Sequence, residues 1–196
     1  MFSLSAVHPF FSRRSQVMDL SFADGHFLEA PLFWETLARL SAQILQVYQR
    51  NGKVLLAGVG STTERVQQIA QELTQVCYLE GDRQGLFARA IQLDPLPPKG
   101  DKHMHPVEKW GEPGDLFLGF SVSGRSPSLL HAFQHCQRMG IIAIGITGKN
   151  GGLLAPHCGL CLQVPTVDTP RILDTYEMIG GILRVDLEKK LHISFN

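Results

Sequence analysis

An α/β fold, with a parallel sheet covered by helices on both faces, is what this 196-residue sequence predicts. Three observations carry it. Short, nearly continuous apolar runs recur as KVLLA at 53–57, LFLGF at 116–120 and IIAIGI at 141–146, and strands buried on both faces read this way. Each run passes directly into a loop rich in Gly, Ser and Thr, beginning at Gly58, Ser121 and Thr147. After the first two loops, apolar residues return at three- and four-residue spacing, the period of a helix with one buried stripe. Strands and helices that alternate through short loops form parallel sheets with helices on either side.

The elements follow in order. Residues 1–30 scatter Phe2, Phe10, Phe11, Phe22 and Phe27 among polar residues with no sustained period. They read as an arm or short helix packed on a partner subunit, or as disordered chain, ahead of a single domain spanning 31–196. From Pro31, Phe33, Leu37, Leu40, Ile44 and Val47 predict a helix that Asn51-Gly52 ends. Lys53–Ala57 is a buried strand, and the helix after its loop presents Val66, Ile69, Ala70, Leu73 and Val76. From Leu79 to Pro113 the pattern is irregular. Ala88–Leu93 reads as a strand, and Pro95, Pro97, Pro98 and Gly100 break regular structure after it. Asp101–His105 is short and polar, and Val107–Trp110 is one helical turn. Gly114-Asp115 opens the strand Leu116–Phe120. Ser126 then stands as N-cap and Pro127 as first residue of a helix that runs to Met139 and stops at Gly140. Ile141–Ile146 is the next strand, and Leu160–Val164 is the last, closed by Pro165. Arg171–Leu191 is a long helix with Ile172, Tyr176, Ile179, Ile182, Leu183 and Leu187 on its apolar side.

Charge and composition remove some functions. Eighteen basic residues balance eighteen acidic ones, so there is no electrostatic footprint for nucleic acid. No apolar run approaches a membrane span. Arg13-Arg14 leads into Ser15-Gln16-Val17-Met18-Asp19 rather than an apolar stretch, which argues against a secretion signal. Cys77, Cys136, Cys158 and Cys161 fall inside predicted elements and form no disulfide framework, so a cytoplasmic location is expected.

Ligands of open parallel sheets sit beyond the carboxyl ends of the strands, where all three small-residue loops fall. The loop Ser121–Ser126 offers backbone N–H groups and hydroxyls at a helix N-terminus, where the helix dipole also favours an anion. Alone it fits either a phosphate site or an ordinary strand-to-helix connection. Gly58-Val59-Gly60, with Glu80 downstream, imitates a dinucleotide fingerprint, but its third glycine is Thr63 and that fingerprint has no second serine loop. Cys158 and Cys161 have redox or zinc spacing, yet they enter a strand and lack a second ligand pair, so two buried thiols are expected. His131 and His135 share a helix face; with no acidic partner motif nearby, an exposed polar face is expected there. His103-Met104-His105 is a candidate for metal or substrate contact.

Four segments taken together, KVLLAGVGST with ERVQQIAQELT, GDLFLGFSVSGRSPSLLHAF, IIAIGITGKNGG and VPTVDTPRILDTYEMIGGIL, resemble the SIS (sugar isomerase) domain family. The similarity covers about Pro31 to Leu191 and points to the branch of phosphoheptose isomerase and the DnaA initiator-associating protein. It implies a three-layer α-β-α sandwich with a flavodoxin-like sheet. It also implies a phosphosugar held by the serine loops at subunit interfaces of a homo-oligomer, a tetramer or dimer. Carried over, the phosphosugar-binding positions are Gly58, Gly60, Ser61 and Thr62 in the first loop and Ser121, Ser123, Gly124, Arg125 and Ser126 in the second. Val122 replaces a family hydroxyl, and Val59 and Arg125 each replace a family asparagine.

Aldose–ketose isomerisation moves a proton between adjacent carbons and needs a positioned acid and base. The resemblance assigns the glutamate of that pair to Glu72, while the histidine position falls on Gly181. The family's zinc positions map to Gln68, Glu72, Leu173 and Gly181, so no metal or other cofactor is expected. His105, His192 and Tyr176 are the alternative sources of an acid. Gly180-Gly181 inside a helix, each costing about 1 kcal/mol relative to Ala, implies close helix–helix approach in an oligomer or room for a ligand. The expected function is a phosphosugar-binding protein with an incomplete isomerase pair, acting as sensor or regulator. The alternatives are a sedoheptulose 7-phosphate isomerase with a rebuilt pair, and a scaffold for a protein partner like the DnaA-associating branch.

Overall fold

Helix α1 (Pro31–Gln49) buries Phe33, Leu37, Leu40, Ile44 and Val47 along one stripe, as the spacing predicts. It ends where Asn51 adopts φ 58°, a left-handed conformation that Asn tolerates better than most residues. The computed structural model describes residues 31–78, 88–93 and 104–191. The expected N-terminal arm, His103 and His192 lie outside them.

Five parallel strands form one sheet: β1 (Val54–Gly58), β2 (Ala88–Ala90), β3 (Leu116–Ser121), β4 (Ile142–Thr147) and β5 (Leu160–Gln163), in the order β2-β1-β3-β4-β5. This is the flavodoxin-like order. Register pairs Leu56 with Leu118 and Leu118 with Ile144 across the middle. Strand β2 is shorter than the 88–93 read from sequence. Only Ala88–Ala90 pair with β1, and after Ile91 N–H bonds to Leu56 O at 2.8 Å the chain leaves the sheet.

Alternation along the strands divides the core in two. Val54 and Leu56 of β1, and Leu116, Leu118 and Phe120 of β3, face the layer made by α1, α2 (Thr63–Tyr78) and α5 (Thr169–Lys190). Leu55, Ala57 and Phe117 face the other layer, which holds the short α3 (Pro106–Trp110) and α4 (Pro127–Met139). A row of small residues, Ala57, Gly119 and Gly145, crosses β1, β3 and β4 in register. It seats the Phe133 ring of α4: a Cβ on Gly119 would lie 2.5 Å from Phe133 Cε2. Among the described residues no helix is long and apolar enough to cross a membrane.

Gly180, expected to mark an oligomer contact or room for a ligand, instead marks a helix contact within the chain. A Cβ there would come 2.7 Å from Ile69 Cγ1, so α5 and α2 touch at this point. Arg65 of α2 also bridges to Glu177 (3.1 Å) and Asp174 (3.9 Å) of α5. Gly180→Ala should therefore lose about 1 kcal/mol in urea denaturation. Overpacking of about 1–3 kcal/mol outweighs the roughly 1 kcal/mol that alanine gains in a helix.

Candidate functional site

Strands β1 and β3 are neighbours in the sheet, but the crossovers leaving them go to opposite layers, so a crevice opens beyond their carboxyl ends. The first two small-residue loops line it. In the first, Gly60 takes φ 60°, which glycine adopts without steric cost, and Gly60–Thr62 make a 3-10 turn into α2. Thr62 is buried. Its hydroxyl accepts from Val59 N–H (2.8 Å) and lies 3.0 Å from Val59 O and 3.4 Å from Phe120 O. The single Thr62 hydroxyl hydrogen is better placed for Val59 O than for Phe120 O, so Thr62 closes the loop on itself beside the end of β3, whereas Gly60 and Ser61 are exposed.

The second loop closes on itself in the same manner. Ser121 is buried and its Oγ accepts from Gly124 N–H at 3.1 Å. Ser123 Oγ accepts from Arg125 N–H at 3.3 Å. Ser126 caps α4 by accepting from Leu129 N–H at 3.4 Å, with Pro127 as the first helical residue. Each accepting hydroxyl keeps a hydrogen to donate. Ser123 and the Arg125 side chain face solvent, while Val122 is half-buried and packs against the core on the side of the sheet that α1, α2 and α5 cover.

The third loop (147–152) supports the second through backbone. Gly148 N–H donates to Val122 O (3.1 Å) and Leu154 N–H to Gly124 O (2.9 Å). Gly124, Gly151 and Gly152 have φ of 64°, 64° and 58°. A Cβ on Gly124 would run into the Gly151 carbonyl, and one on Gly152 into Ser123 O. The sequence marks these glycines only as a small-residue loop; their mutual contact becomes visible in three dimensions.

Glu72 lies half-buried on α2 and accepts from Gln68 Nε2 at 3.2 Å. The remaining zinc positions implied by the resemblance, Leu173 and Gly181, carry no donor side chain. Glu72 is the one good zinc ligand in that set, so the residues do not fit a zinc ion and no chemistry is routed through one. Tyr176 is fully buried and its hydroxyl donates to Ile146 O at 3.1 Å. Burial pushes its ionisation above the ordinary tyrosine value, with a smaller push from the neighbouring Cys161. His105 sits in the other layer, at the N-terminus of α3.

Two cysteine and histidine expectations need correction. Cys158 and Cys161 are half-buried rather than buried, and both sulfurs face Gly145. Pairing with the Cys158 sulfur draws the Cys161 thiol pKa below its ordinary value, against the effect of burial. The same contact, with burial, raises Cys158, whose Sγ lies 3.1 Å from Leu154 O. His131 and His135 are not an exposed polar face. His135 is 8% exposed and His131 half-buried, because α3 packs over them. An acidic partner is present: Glu108 Oε1 lies 2.6 Å from His135 Nδ1, without well-aligned hydrogen-bond geometry at that nitrogen, and burial holds the imidazole pKa below its ordinary value despite the carboxylate.

No family model matches the sequence. Curated relatives do. The chain is 36% identical over 175 residues to a phosphoheptose isomerase of Aneurinibacillus thermoaerophilus, covering 83% of this chain and 87% of the relative. It is 31% identical over 189 residues to phosphoheptose isomerase 2 of Campylobacter jejuni, covering 87% and 93%. Among solved structures, a phosphoheptose isomerase from Neisseria gonorrhoeae superposes with a TM-score of 0.65 at 22% identity, covering 84% of this chain and 96% of that one. One from Francisella tularensis gives 0.65 at 21% identity, covering 96% and 100%. At these identities the two structures establish the shared fold.

Proposed function

This chain belongs to the SIS-domain phosphoheptose isomerase family, and from that premise we propose that it binds a phosphorylated sugar at the β1/β3 crevice while lacking a complete isomerase acid/base pair. The phosphate would sit over the second loop, against the Ser121, Ser123 and Ser126 hydroxyls and the backbone N–H groups around Gly124, with the Arg125 cation within the same loop. Gly58, Gly60, Ser61 and Thr62 would form the facing wall, with Thr62 holding its shape. The observation that carries the incomplete pair is the fate of every described candidate for the missing acid. Position 181 is glycine, Tyr176 spends its hydroxyl on Ile146 O, and His105 stands in the other layer. Glu72 alone offers one proton acceptor where the reaction needs a base and an acid. A sensing or regulatory role follows from binding without turnover.

The test is a time course with sedoheptulose 7-phosphate, run beside equilibrium binding. We expect saturable binding and no conversion. Replacing Ser121 and Ser126 together with Ala should weaken binding by about 10- to 100-fold per hydroxyl, the worth of a hydrogen bond to a charged group. The second reading, an isomerase with a rebuilt pair, is favoured by the presence of Glu72. Conversion that disappears in Glu72→Gln would establish it and overturn the first. Absence of phosphosugar binding by folded protein would overturn both and leave the protein-scaffold reading.

A further inference from the structure

The described residues hold a cluster of metal-ligating side chains that the phosphosugar reading does not use. His131 and His135 lie one turn apart on α4, on the face covered by α3. Their Nε2 atoms are 3.3 Å apart. The His105 ring packs over both, stacked on His135 (centroids 4.1 Å, planes 4° apart) and edge-on to His131 (5.2 Å). One ligand atom from each of the three lies within 4.8 Å of the others.

We propose that His105, His131 and His135 form a binding site for a divalent transition-metal ion of the zinc class. Tetrahedral zinc with Zn–N bonds of about 2.0–2.1 Å holds neighbouring nitrogens about 3.3 Å apart, the separation that His131 and His135 already have. Two imidazole nitrogens facing each other can share one proton at most; a cation uses both lone pairs. His105 Nδ1 accepts the Val107 N–H at 3.2 Å, so the neutral ring holds its proton on Nε2; coordination through Nε2 requires that proton to move to Nδ1 and the bond from Val107 to be given up. Because the His105 ring lies parallel to that of His135, a tilt about its side-chain torsions is needed to bring Nε2 onto the ion. Glu108 stands against Nδ1 of His135, on the far side of the ring from His131. Metal-bound histidines commonly have a carboxylate at that position, which fixes the ring and raises its basicity. Three imidazoles leave one coordination position for water, and an all-nitrogen set disfavours magnesium and calcium, which take oxygen ligands. The ion would strap α3 to α4, the helix whose N-cap is Ser126.

The site shares no residue with the zinc positions mapped by the resemblance, so its fate is separable from that of the phosphosugar reading. The full chain, stripped with a chelator and dialysed, is titrated with Zn2+ by calorimetry and with Co2+ by visible absorption. We expect one equivalent bound, with a cobalt spectrum of low-symmetry, nitrogen-ligated type. Glu72→Gln should leave both unchanged. His131→Asn should weaken Zn2+ binding by more than about 100-fold, and Glu108→Gln by about 10- to 100-fold. Circular dichroism confirms that each variant is folded. If His131→Asn does not fold, the wild-type cobalt spectrum and the Glu72→Gln titration decide. Failure of the wild type to bind, unchanged binding by folded His131→Asn, or loss of binding in Glu72→Gln would each overturn the proposal.

Discussion

Asp115→Ala should lower the unfolding free energy by about 3–5 kcal/mol, the cost of breaking a buried, hydrogen-bonded ion pair from one side. Asp115 is 2% exposed. Its Oδ1 accepts Lys53 N–H at 2.8 Å, its Oδ2 accepts Glu112 N–H at 2.8 Å, and Lys53 Nζ lies 3.2 Å away. Alanine leaves two backbone donors unpaired where β1 and β3 begin, and leaves Lys53 with the exposed Glu112 as partner. Asp115→Asn keeps one acceptor and should lose about half as much. Burial lowers the Lys53 ammonium pKa, but pairing with Glu112 and Asp115 outweighs it and raises the value above the usual 10.5. The resulting stabilisation is therefore complete at neutral pH and disappears as pH climbs through the raised value. Urea denaturation at pH 7 measures the loss. Because the carboxylate lies at the end of the sheet away from the serine loops, binding by the folded fraction should not change.

Gly124→Ala should have the opposite profile, a modest change in global unfolding and a loss of phosphosugar affinity of more than tenfold. At φ 64° an L-residue costs about 1–2 kcal/mol, and the new methyl would collide with the Gly151 carbonyl, a backbone atom held by its own loop. The second loop must then move off the third, breaking the bond between Leu154 N–H and Gly124 O and turning the serine hydroxyls. Gly140→Ala is the control. Its φ is 70°, but the nearest atom to its Cβ is Pro113 Cβ at 3.9 Å, so it carries the conformational cost without the collision. Ligand-induced shifts in melting temperature should fall for Gly124→Ala and persist for Gly140→Ala.

The sheet was legible because a strand buried on both faces cannot avoid being apolar: β1, β3 and β4 were placed within one residue at each end. Strand β2 is shorter than its apolar stretch because Ile91 and Leu93 stay buried after leaving the ladder, and apolar character reports burial rather than pairing. The loops were visible as composition. What each hydroxyl does was not: Thr62 and Ser121 point into their own loops, which depends on backbone curvature. The histidine cluster was half visible. The spacing of His131 and His135 signals a shared face, but His105 and Glu108 arrive from an irregular segment whose packing no period encodes. Gly180 reads from sequence as an oligomer contact or ligand space, whereas its neighbour is Ile69 of the same chain, because α2 and α5 pack side by side on one face of the sheet.

Thr62 closes the first loop on itself, and backbone bonds from Gly148 and Leu154 tie the second loop to the third and to the turn after it. For a phosphosugar bound across these loops as proposed, such bonds leave fewer backbone conformations to restrict on binding. Part of the entropic cost that flexible sites carry on association would then be met when the chain folds, before the ligand arrives.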